Sequence, residues 1–218
     1  MIALVRYMFT VLLLSQRYLA PLLLFLGVVA VLTNGDTGPF AATYATVAGA
    51  MLLCSVWLTM ALVGLDDQTH RSVVVVSAGS RLRVLLATVG TAAVWCLLLT
   101  AAGLVLPLLF GPHTPGLADL ALGAEAQLTC AFTGMAIGLI CSRLVFRSQG
   151  YALVLALLLL LTALVGKGVS PVNIMFTRLL NTSRSVDVLV STGALLTAAA
   201  GLLAAGVAVT QAIAVRKG

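Results

Sequence analysis

Residues 41–65 read AATYATVAGAMLLCSVWLTMALVGL and run directly into DDQTHRSVVVVSAGSRLR at 66–83. The first stretch holds no charged residue and is longer than the roughly 20 apolar residues a helix needs to cross a bilayer. The second is dense in charge, yet the run Val73 to Val76 at its centre is apolar. A span followed by a charged connection decides the class of fold, and the same alternation recurs along the chain.

Apolar runs occupy Tyr18 to Thr33, Ala41 to Leu65, Val84 to Leu109, Gln127 to Cys141, Tyr151 to Val165 and Val188 to Val215. Between them lie NGDTGPF, DDQTH, FGPHTPG, SRLVFRSQG and KGVSPVN, whose polar residues, Gly and Pro punctuate helices. The pattern predicts an all-α integral membrane protein of six transmembrane helices in one domain spanning residues 1–218. Composition agrees. Only 8% of the 218 residues are charged and 61% are hydrophobic, whereas a soluble domain is about 25% charged because its surface faces water. The net charge of +6 is spread singly between apolar runs, which argues against nucleic acid as a partner. Cys54, Cys96, Cys130 and Cys141 fall inside apolar runs and read as small buried hydrophobes. No cleavable signal peptide is expected, since Arg6 and Arg17 interrupt the first apolar stretch.

Basic residues set the expected orientation. Arg6, Arg17, Arg71, Arg81, Arg83, Arg143, Arg147, Arg216 and Lys217 fall on one side of the six spans. The other side has only Lys167, Arg178 and Arg184, mixed with Asp36, Asp119, Glu125 and Asp187. Both termini are therefore expected in the cytoplasm of a protein of the cell membrane.

Four local features bear on function. At about 100° per residue, Arg6, Thr10 and Arg17 share a narrow helical stripe opposite Val5, Met8, Phe9 and Leu12, which predicts an interfacial amphipathic helix over residues 1–17 against membrane lipid. In the 66–83 stretch, Asp66 and Asp67 suit a helix start and Gly79 a helix stop, with the run Val73 to Val76 left to pack on a partner protein or fold back on the bundle or lipid headgroups. Between the last two spans, Ser170-Pro171 followed by VNIMFTRLLN predicts a short capped helix with Ile174, Met175, Leu179 and Leu180 on its apolar side. In the last span, Gly193, Thr197, Gly201 and Ala205 at four-residue spacing predict a close-packing face, within one subunit or between two.

The order of these features resembles the type-2 exporter permeases of ATP-binding-cassette transporters. The resemblance rests on Asp66-Asp67, the run Val73 to Val76, and Ser80-Arg81 followed by Leu85-Leu86. It departs from that family where Thr69-His70-Arg71 stands in place of a Gly-Thr, and where no Lys follows at the entry to the third span. The resemblance implies that Asp66, Asp67, His70, Arg71, Val73, Val74, Ser77 and Arg81 form a coupling helix that docks on a cassette ATPase. It further implies a second permease, identical or paralogous, and ATP with Mg bound by the ATPase and not by this chain. Spans two and five line the pathway in that family, so Thr43, Thr46, Ser55, Thr59 and Thr162 become candidate pathway hydroxyls. Walls this apolar impose a large desolvation cost on a charged solute and favour hydrophobic, amphipathic, peptide or lipid-like cargo.

Two absences from the sequence support an external energy source. It contains no G-x-x-x-x-G-K-[ST] phosphate loop, so the chain is read as a non-catalytic subunit without a cofactor of its own. Its spans also hold almost no ionisable group of the kind proton-coupled carriers use. Glu125, at the outer edge of the fourth run, is the exception and carries the alternative of a proton-coupled secondary transporter. A non-transporting scaffold subunit is a third class. His70 and His113 are solitary and have no ligand-spaced partners.

Overall fold

The computed structural model describes residues 2–16, 18–34, 40–64, 80–110, 116–142, 149–166, 170–181 and 186–216. Among these the secondary structure is helical throughout: α1 Ile2–Ser15, α2 Leu19–Asn34, α3 Phe40–Val63, α4 Arg81–Phe110, α5 Leu117–Ile140, α6 Gln149–Val165, α7 Pro171–Asn181 and α8 Val186–Arg216. Helices α3, α4, α5 and α8 are long and apolar enough to cross a membrane, and the bent pair α1–α2 makes a fifth candidate if counted as one span. This architecture is compatible with a multi-pass membrane protein.

Helix direction alternates through the bundle. Gly123, Gly134 and Gly138 of α5 meet Tyr44, Ser55 and Thr59 of α3 in the same order, so these two helices run parallel. Glu125 reaches Thr192 and Ala136 abuts Gly206, so α8 runs parallel to both. Helix α2 runs the other way, because the Cys54 thiol donates to the Pro21 carbonyl at 3.2 Å while Phe25 and Val47 meet beside Gly103. Helix α4 is antiparallel as well. Its Leu85 packs with Val63 and Leu139 at one end, and its Gly103 lies against Gln127 towards the other. The end bearing the starts of α4 and the finishes of α3, α5 and α8 presents Arg81, Arg83 and Arg216, all exposed. The opposite end carries Asp119, whose carboxylate accepts the Gly116 amide at 3.0 Å and caps α5.

The closest seam in the bundle is that of α5 on α3. Gly134 and Gly138 form a G-x-x-x-G row that seats Ser55 and Thr59, small residues letting two backbones approach as membrane helices require. The Ser55 and Thr59 hydroxyls bond back to Leu52 and Ser55 carbonyls of their own helix at 2.9 and 2.7 Å. Thr88, Thr91, Thr100, Thr133 and Thr210 do the same, which satisfies hydroxyls where no water reaches.

Several expectations change in detail. The fourth helix begins at Leu117, ten residues ahead of Gln127, so Asp119 and Glu125 belong to the helix and not to a loop. Sequence hydropathy hid this start because both carboxylates are accommodated locally, one by the cap and one by Thr192. On α8 the row Gly193, Thr197, Gly201 and Ala205 does not form the seam within the chain. Thr197, Gly201 and Ala205 are exposed, while Thr192, Ala199, Gly206 and Thr210 are buried towards α5 and its neighbours. The short helix after Ser170 is present as α7, with Val172, Met175 and Leu179 buried and Phe176 reaching Gly49 of α3. The Asn173 side chain donates to the Leu164 carbonyl at 2.6 Å, tying α7 to the end of α6.

Helix α1 ends where Gln16 adopts a left-handed backbone with φ 55°, and the α1–α2 pair bends by 77°. The apolar side read from the sequence is taken up by protein contact. Met8 and Leu12 are buried, Val5 reaches Gly90 of α4, and the rings of Phe9 and Tyr18 stack on Trp95 at 5.4 and 5.0 Å. Arg6 and Thr10 are exposed on the other side.

Candidate functional site

Polar side chains within the bundle mark function by default, since each must be satisfied where water is scarce. The sequence nominated five hydroxyls, and the structure does not gather them into one site. Ser55 and Thr59 are buried in the α3–α5 seam, and Thr43 is buried nearer the start of α3. Thr46 and Thr162 are exposed on different helices, their hydroxyls bonded to the Thr43 and Leu159 carbonyls. Within this chain Ser55 and Thr59 are packing residues.

The polar centre lies instead on α5. Glu125 and Gln127 stand two and a half turns inside the helix and, two positions apart, point to nearly opposite sides. Glu125 accepts the Thr192 hydroxyl and so ties α5 to α8, with Gly193 alongside. Gln127 is fully buried on the other side, its Oε1 beside Gly103 of α4, where Val47 of α3 and Phe25 of α2 also converge. Thr129 completes the first of these environments by donating to the Glu125 backbone carbonyl at 2.7 Å. Thus α5 carries an acid–hydroxyl link on one face and a carboxamide on the other.

Gln127 did not emerge from the sequence, where it only marked the start of an apolar run. A readable signal existed: a carboxamide within an otherwise apolar, small-residue helix is costly unless it has a task. The G-x-x-x-G pair Gly134 and Gly138 was also readable as a helix-packing motif.

Of the residues assigned to ATPase coupling, Asp66, Asp67, His70, Arg71, Val73, Val74 and Ser77 lie outside the described residues. Arg81 opens α4 and is exposed at the basic end of the bundle. Arg17 of the interfacial stripe is likewise outside the described residues, as are the loop residues Asp36, His113 and Arg184. All four cysteines are buried free thiols, in line with their reading as small core residues. Comparison of the chain with protein-family models, curated proteins and solved structures finds no match.

Proposed function

We propose that this chain is the membrane-spanning permease subunit of an ATP-driven exporter, energised by a separate cassette ATPase that docks on the 66–83 stretch. Six crossings are proposed, α2, α3, α4, α5, α6 and α8, with α1 in the cytoplasmic interface and both termini in the cytoplasm of the cell membrane. The observation that supports this best is the alternation of helix direction. It collects Arg81, Arg83 and Arg216 at one end, as the preference of basic residues for the cytoplasmic side requires. Helices α2 and α6, at 16 and 17 residues, are about 24–26 Å long and approach the roughly 30 Å of a hydrocarbon core once flanking residues are added.

A second permease, identical or paralogous, completes the pathway in this proposal, and ATP with Mg resides on the ATPase. Cargo is hydrophobic or amphipathic: a drug, peptide or lipid-like molecule. The alternative of a proton-coupled carrier has one observation in its favour, the Glu125–Thr192 link between α5 and α8. One experiment separates the two. Purification in mild detergent is expected to retain a cassette ATPase of separate sequence, and export should survive collapse of the proton gradient but stop on ATP depletion. Export by this chain alone, or its loss with the gradient while ATP is held constant, would reject the proposal.

A further inference from the structure

Gln127 is 0% exposed, and neither its Oε1 nor its Nε2 meets a hydrogen-bond partner among the described residues. Its Oε1 lies 2.6 Å from the point that a Cβ on Gly103 would occupy, with Val47 Cγ1 and Phe25 Cζ at 2.9 and 3.1 Å from the same point. The carboxamide therefore rests on the bare backbone of α4 where that helix has no side chain. Four residues further along α4 stands Pro107. Proline has no amide hydrogen, so the i→i−4 bond to the Gly103 carbonyl cannot form. An unpartnered carboxamide on α5 thus rests beside the turn of α4 whose carbonyl has lost its i→i−4 donor. The bundle's threonines, by contrast, bond to their own helices, and among the described residues Gln127 alone leaves two buried side-chain atoms without a partner.

We propose that Gln127 and the Gly103 carbonyl form an intramembrane site for one neutral group that both donates and accepts a hydrogen bond, a hydroxyl or a carboxamide. The carbonyl takes the ligand's hydrogen. The Gln127 carboxamide, which carries both a donor and an acceptor, offers its N–H or its oxygen to the remaining atom. A charged group is disfavoured, because the nearby acid, Glu125, is engaged with Thr192 on the opposite side of α5. Water and a polar group of the cargo share the required chemistry. The site follows from the helical bundle alone and does not depend on what energises the protein.

The full chain, labelled with ¹⁵N at glutamine side chains and held in lipid nanodiscs, provides the test. The Gln127 signal is assigned by its loss in Gln127→Met, and it should show magnetisation transfer from water. Titration with 1-octanol or octanamide should shift it saturably and displace the water contact, whereas octane should do neither. A water contact that neither compound displaces assigns the site to water. Pro107→Ala keeps Gln127 but returns a partner to the Gly103 carbonyl, and should weaken either interaction roughly two- to tenfold, the worth of one hydrogen bond. The proposal is overturned if the wild-type signal shows neither water contact nor response to octanol or octanamide. It is equally overturned if Pro107→Ala leaves the wild-type behaviour unchanged.

Discussion

Gly134→Ala is expected to loosen the bundle more than any other single added methyl. A Cβ at Gly134 would stand 1.9 Å from Ser55 Oγ, 2.8 Å from the Leu52 carbonyl oxygen and 3.2 Å from Ser55 Cβ. The Ser55 hydroxyl can rotate away by giving up its bond to Leu52, but the backbone carbonyl cannot, so α3 and α5 must separate. Overpacking of this kind costs about 1–3 kcal/mol. At about 2–4 °C per kcal/mol for a chain of this size, thermal unfolding in detergent should fall by several degrees. Ser55→Ala should recover part of the loss in the double variant, since the oxygen is the nearest obstruction. Gly201→Ala is the control, because none of the described residues lies within 4 Å of its added methyl and its effect should stay within about 0.5 kcal/mol. Equal unfolding temperatures for Gly134→Ala and Gly201→Ala would mean that the α3–α5 seam is wrongly placed.

The second large effect concerns coupling. Val74→Asp, or Asp66→Asn combined with Asp67→Asn, is expected to leave the protein inserted while reducing export at least about tenfold. An unpaired carboxylate forced into a protein interface costs several kcal/mol, and 1.4 kcal/mol already corresponds to a factor of ten. ATP hydrolysis by the proposed partner should continue, because the proposal places the active site on that other chain. The measurement is the ratio of cargo exported to ATP hydrolysed in reconstituted vesicles. An unchanged ratio with normal subunit association would move the coupling contact to another segment, the stretch 143–148 with Arg143 and Arg147 being the next candidate in the sequence.

Much of the fold was legible because lipid leaves few solutions. Runs such as 41–65 and 188–215 are long, uncharged and bounded by punctuation, and each appears as one helix within two residues of its expected start. The start of α5 was misplaced by ten residues for a physical reason. Hydropathy penalises Asp119 and Glu125 without knowing that Gly116 and Thr192 receive them. The side chains that face one another were less readable. Periodicity put Val5, Met8, Phe9 and Leu12 on one side of α1, but it could not say that Gly90 and Trp95 of α4 would cover them. The α8 row reads as a packing face within one subunit or between two, and burial within this chain falls on the neighbouring row through Thr192, Ala199, Gly206 and Thr210. Gln127 and Gly103 are far apart in sequence, and their meeting depends on the depth at which α4 and α5 cross.

Every role proposed for the 66–83 stretch requires the basic end of the bundle to face the cytoplasm, where ATP is. Single cysteines at Ser77, Gly116 and Ser183, in a background with Cys54, Cys96, Cys130 and Cys141 replaced, measure this directly. An impermeant thiol reagent added to intact cells should label positions 116 and 183, and position 77 should react only after the membrane is opened. Labelling of position 77 from outside would invert the protein, remove the ATPase contact from the compartment that holds ATP, and contradict the proposed permease.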